Sequence, residues 1–308
     1  MIACKVSPQI GGLARWLLAL GLLMAATVAS AEPASVDDYM AQPRQAPAAV
    51  IHYGPAPAQV AELFLPKAKG PHPVVVLLHG GCFLAEYQGL AQTSAIAADL
   101  AVRGYAVWNI DYRKLGEPGA GYPGTFQDVA TAVDRLRTEA PKYDLDTHRV
   151  IALGHSAGGH LALWAAARAR LPVDSPLRTA DPLPIKTVIS LAGIGDLKGQ
   201  ARAFAMPCGD DTLERLIDIS RRKTPYADTS PAELLPNGTR VIMVHGAYDP
   251  VLPPYTGRAY VQLARKAGDP AEVITIPDAG HFDVVMPTTV AWREVVGILD
   301  REMRALAH

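Results

Sequence analysis

From residue 49 onward the chain alternates short, nearly continuous apolar runs with longer segments in which apolar residues return every three or four positions. Runs at 60–65, 74–78, 106–110, 150–153, 188–191, 241–244 and 273–276 predict strands. Helical spacing at 92–103, 126–140, 157–170, 255–267 and 290–306 predicts helices. The later strands are apolar throughout rather than alternating, which requires cover on both faces. The expected fold is therefore α/β: a mostly parallel central sheet with helices on both faces, in one domain over residues 49–308. Between residues 195 and 236 the alternation lapses into Pro, Asp and Arg. That stretch predicts a small lid with one short helix around 212–220. Residues 32–48 are rich in Ala and Pro without a sustained period, which predicts a poorly ordered arm. Asn237-Gly238-Thr239 reads as a turn ahead of a strand.

A chain of 308 residues, 49% of them hydrophobic, has enough apolar surface for a large core. The net charge of -1 offers no field for nucleic acid, which is excluded as a partner. Residues 1–31 look like an address: Lys5 and Arg15 precede an apolar run over 16–28 that ends in Ala29-Ser30-Ala31. Cleavage after Ala31 would export the protein, periplasmic or secreted, with no membrane span left after processing; uncleaved, the run would be a membrane anchor, for which it is short. Cys4 would leave with this segment. Cys82 and Cys208 would then share an oxidising compartment, either bridged or as two buried thiols.

Ligands in open α/β sheets sit beyond the carboxyl ends of the strands, so the residues after each strand carry the candidate chemistry. Gly154-His155-Ser156-Ala157-Gly158 joins a predicted strand to a predicted helix. Only glycines fit beside so sharp a turn, and the turn presents Ser156 at the amino end of the helix, where developing negative charge is favoured. A hydroxyl needs a base, and the base an orienting carboxylate. His281 and Asp249 each follow a later strand, in the chain order Ser, Asp, His. Asp278 and Asp283 lie too near His281 in sequence to be better acids and are expected to shape its loop. His155 and His160 flank the serine too closely to serve as its base, and His79 and His245 are expected to brace loops. After the strand at 74–78 comes His79-Gly80-Gly81-Cys82-Phe83. Its glycines let the loop turn amides inward, so Gly81, Cys82 and Ala157 are the candidate oxyanion donors. No histidine cluster has metal-ligand spacing and no cofactor fingerprint appears, so no metal or cofactor is expected.

With "HGGCF", "DYR", "GHSAGGHLA", "HGAYDPVLP" and "GHFD" in this order, the chain resembles the α/β-hydrolases of the esterase/lipase branch over residues 60–308. It is most similar to carboxylesterase and arylformamidase-like members, whose oxyanion loop reads His-Gly-Gly and then a non-glycine. The resemblance implies Ser156, Asp249 and His281 as a triad. It also implies that Asp111-Tyr112-Arg113 supports the site, with Arg113 paired to a carboxylate. Members resembling hormone-sensitive lipase carry a third glycine where Cys82 stands, so their substrate rules do not transfer. The expected activity is hydrolysis of small-molecule carboxylic esters through an acyl-enzyme. Amide or formamide hydrolysis would use the same residues; a prolyl-oligopeptidase-like peptidase would call for an N-terminal propeller. A non-catalytic binding protein on this fold would be expected to lack one of the three residues.

Overall fold

A computed structural model of the protein describes residues 1–3 and 32–307. Residues 4–31, where the export signal is expected, lie outside the described residues. Eight strands follow one another along the described chain: β1 (Ala49–His52), β2 (Val60–Phe64), β3 (His72–Leu78), β4 (Ala106–Ile110), β5 (Leu145–His155), β6 (Thr187–Leu191), β7 (Arg240–Gly246) and β8 (Ala271–Ile276). In space their order is β1-β2-β4-β3-β5-β6-β7-β8. β1 pairs antiparallel with β2, and β2 with β4; every other pairing is parallel.

The continuous apolar runs are explained by the two layers they meet. Successive side chains point to opposite faces of a strand. Val74, Val76 and Leu78 of β3 accordingly join one buried core, and Val75 and Leu77 the other. The first core is closed by α3 (Gly124–Glu139), α4 (Ala157–Ala167) and α7 (Pro254–Ala267), through Phe126, Trp164 and Tyr260. The second is closed by α2 (Ser94–Val102) and α8 (Val290–Ala305), through Ile96, Leu100, Trp292 and Leu299. Thr289 caps α8 by accepting from Trp292 N at 3.0 Å. Asn237 accepts from Thr239 N at 3.0 Å, and Gly238 takes φ 77°, as a turn there requires.

Two parts differ from the sequence expectation. The lid region holds two helices rather than one, α5 (Ala201–Cys208) and α6 (Thr212–Ile217). Pro207 sits in the last turn of α5, where it masks the helical pattern but breaks little of it. The arm expected to be poorly ordered carries a helix, α1 (Val36–Met40), and packs on the domain. Ser35 and Asp38 form a reciprocal capping box that starts it, and Tyr39 is buried to 1% exposure. Burial of one large aromatic ring supplies the ordering that the local sequence lacks.

Candidate active site

β5 runs straight into α4 through Ser156, whose φ of 52° and ψ of -117° lie where L-residues are strained. The turn is this tight because α4 presses on the end of β3. A Cβ on Gly158 would lie 2.2 Å from the Leu78 carbonyl oxygen, and one on Gly154 would lie 2.1 Å from that of Gly158. Ala157 is the first residue of α4, so its N–H belongs to the helix's unpaired first turn and is free to bind an anion.

Asp249 and His281 come together from the loops after β7 and β8. His281 Nδ1 donates to Asp249 Oδ2 at 2.8 Å, and both side chains are buried. The other carboxylate oxygen accepts from Val251 N and Leu252 N, each at 2.8 Å. Three donors thus fix the carboxylate, and the imidazole is left with Nε2 free of that bond. His281 and Ser156 line the same cavity of about 330 Å³, together with Gly81 and Cys82. All three of the sequence-selected residues, Ser156, Asp249 and His281, and the glycine loop therefore converge at one rim of the sheet.

The glycine loop takes three left-handed residues in succession: Gly81 (φ 94°), Cys82 (φ 52°) and Phe83 (φ 61°). Two of these are not glycine, so the surroundings must hold the loop against its local preference. One restraint is a disulfide between Cys82 and Cys208, with their Cα atoms 5.4 Å apart, which settles the choice between bridge and free thiols. It ties the loop to α5 of the lid. A second restraint lies beneath: His79 has one ring nitrogen 2.9 Å from Gly80 O and the other 2.8 Å from Asp111 Oδ1. Lys114 Nζ reaches the same Asp111 oxygen at 2.8 Å, and Tyr112 donates its hydroxyl to His79 O. Arg113 grips Asp128 with two bonds of 2.7 Å, the carboxylate pairing that the resemblance implied.

Three further histidines are braces. His155 Nε2 donates to the backbone oxygen of His281 at 3.0 Å, so the residue before the serine holds the segment that carries the candidate base. His160 binds Ile194 O and His245 binds Leu252 O. Burial pushes His160 and His245 each down to about 4. Burial, with His281 nearby, pushes His155 well below its usual value. Asp283 shapes the base loop, accepting from Gly280 N at 2.8 Å. Asp278 sits at φ 54° in the turn before it. Among the described residues no group of three or more His, Cys, Asp or Glu is gathered as metal ligands would be.

Several wall residues were not foreseen. Val36, Tyr39 and Met40 of α1 line the cavity, as do Tyr87 and Gln92 beyond the glycine loop and Pro207 of α5. The sequence signal for α1 was the Ser35-x-x-Asp38 box, too short a segment to show a period.

The BD-FAE family model matches residues 61–262. Esterase LipC of Mycobacterium tuberculosis is 28% identical over 247 residues, covering 76% of this chain and 60% of LipC. The isoprenylcysteine alpha-carbonyl methylesterase ICME of Arabidopsis thaliana is 26% identical over 255 residues, covering 77% of this chain and 56% of that protein. The chain thus spans about three fifths of the length of these curated relatives. Among solved structures, esterase B from Lactobacillus Rhamnosis superposes with a TM-score of 0.74 at 19% identity, covering 88% of this chain and 90% of that one. A truncated carbohydrate esterase from gut microbiota superposes with a TM-score of 0.68 at 20% identity, covering 84% of this chain and 100% of that one. Matched over residues 61–262, which hold the glycine loop, Ser156 and Asp249, the chain belongs to the BD-FAE family and has the α/β-hydrolase fold of esterases.

Proposed function

We propose that the protein is a serine hydrolase of small-molecule carboxylic esters. The observation that carries this is the convergence of the strained Ser156, the Asp249–His281 pair and the glycine loop on one cavity. Relatives named as esterases support it.

In this chemistry Ser156 Oγ attacks the ester carbonyl while His281 Nε2 takes the hydroxyl proton. Asp249 holds the imidazole by Nδ1–H and steadies the positive charge that forms on it. The carbonyl oxygen, now an oxyanion, is bound by N–H groups of Gly81 or Cys82 and of Ala157, each such donor typically supplying about 3 kcal/mol of barrier lowering. The alcohol then leaves with the proton from His281. Water, deprotonated by the same imidazole, attacks the acyl-Ser156 ester and releases the acid.

Export accompanies this role. The basic, apolar and small-residue series in residues 1–31 and a bridged Cys82–Cys208 pair both suit an oxidising compartment. Among the described residues no helix is long and apolar enough to cross a membrane.

The test is labelling by a fluorophosphonate beside turnover of p-nitrophenyl esters, N-formylkynurenine and a proline anilide. The protein is expected to label, to prefer the esters, and to lose both properties in Ser156→Ala. A folded protein that neither labels nor turns over any ester contradicts the assignment.

A further inference from the structure

We propose that the N-terminal strap, residues 33–45, forms the alcohol-side wall of the ester cavity, with Val36 and Met40 limiting the size of the alcohol group accepted. This rests on the acyl-transfer chemistry proposed above.

The direction follows from the base. In acylation the C–O bond to the alcohol breaks and the departing oxygen takes its proton from His281, so the alcohol must lie on the His281 side of Ser156. The strap packs against that side. Pro33 lies so close to Gly280 that a Cβ on the glycine would sit 2.8 Å from Pro33 Cβ. Ala34 N donates at 3.1 Å to Asp283 Oδ2, the oxygen that also holds Gly280 N. The Tyr39 ring stacks on Phe282, the residue after the base, with centroids 5.2 Å apart. It also meets His155 edge-on at 5.7 Å. One buried ring therefore touches the chain neighbours of both Ser156 and His281.

The far end is fastened as well. Gln45 N donates to Ser94 Oγ at 2.7 Å, and the same hydroxyl donates back to Gln45 O at 3.1 Å. Arg44 pairs with the buried Glu62 carboxylate. A segment tied at both ends, with a buried ring between, makes a fixed wall rather than a loose flap. Met40 is half-buried and Val36 is exposed at 41%, yet both line the cavity, which puts them between its interior and its mouth. Tyr87 and Gln92 beside Gly81, and Pro207 at the end of α5, line the glycine-loop and lid part of the same cavity and are left to face the acyl group. At about 330 Å³ the space is at the small end of ligand pockets, so one side chain on its wall changes what fits. The strap precedes residues 61–262, the span shared with the BD-FAE family.

The test compares Met40→Ala, Val36→Ala and Met40→Trp with the unmodified protein on two ester series. One is acetates of ethyl, butyl, hexyl and benzyl alcohols; the other is p-nitrophenyl esters of lengthening acyl chain. Rates are read per site titrated by a fluorophosphonate, so misfolded molecules do not enter. Met40→Ala is expected to raise kcat/KM for the bulkiest alcohol relative to ethyl by about tenfold or more, the discrimination a single methylene commands in a fitted pocket. Met40→Trp should lower the same ratio, and the acyl ranking should stay within about threefold. An unchanged alcohol ranking in the Met40 variants, or a shift in the acyl ranking in its place, overturns the proposal. Failure of the unmodified protein to label or turn over any ester is a separate outcome: it removes the hydrolase itself, and the wall with it.

Discussion

Replacing both Cys82 and Cys208 by alanine removes the bridge between the glycine loop and the lid helix. The bridge spans a sequence separation of 126, and loop-closure entropy for so long a loop is worth about 5 kcal/mol. A domain the size of residues 32–307 unfolds with an entropy of about 0.6 kcal/mol/K, so the melting midpoint should fall by about 8 °C. Scanning calorimetry of the unmodified protein and the double variant measures this directly, and the unmodified protein under reductant should melt like the variant. The same change frees residue 82, a left-handed position and itself a candidate oxyanion donor. Turnover should therefore fall, at most by the ~10²-fold that one missing donor costs, with KM changing little. A midpoint within about 2 °C of the unmodified protein, with turnover intact, would refute the reasoning that the bridge restrains the loop.

Asp249→Asn should keep the fold and lower kcat by about 10⁴-fold, because an amide cannot hold His281 in the required tautomer; stopped-flow release of p-nitrophenol measures it. Gly158→Ala should abolish soluble protein or cost more than about 4 kcal/mol, since its Cβ meets the backbone oxygens of Leu78 and His79 at 2.2 and 2.4 Å. A thermal melt matching the unmodified protein would show that the elbow can give way. Stability should also fall with acid in a defined window. His160 and His245 stay neutral in the fold down to about 4 but take up protons near 6.5 once unfolded, so the unfolded chain binds more protons between those values. By about pH 5 each ring should have cost about 2 kcal/mol, read as a lower urea midpoint than at about pH 7.5. Equal midpoints would mean that the two rings are not buried neutral.

The sheet was legible because its strands are covered on both sides: Val74 to Leu78 is apolar at every position, and a parallel strand has no other way to be. β1 was not, since only Ile51 of its four residues is buried and an edge strand shows little pattern. The three residues at the strand ends were readable because strand-to-loop junctions in such sheets are where chemistry is placed. The strap was unreadable for a physical reason. Its order derives from Tyr39 fitting against Phe282 and His155, residues more than a hundred positions away, and a single aromatic in an Ala- and Pro-rich stretch carries no period. The pairing of Cys82 with Cys208 was likewise hidden, because it depends on α5, whose Pro207 disguises the helix.

The most direct measurement is acid-quenched mass spectrometry during turnover of p-nitrophenyl acetate. One acetyl group, carried by the peptide that contains Ser156, is expected in the steady state and is expected to be absent from Ser156→Ala. Turnover by a folded protein with no acyl group on that peptide at any quench time would contradict it.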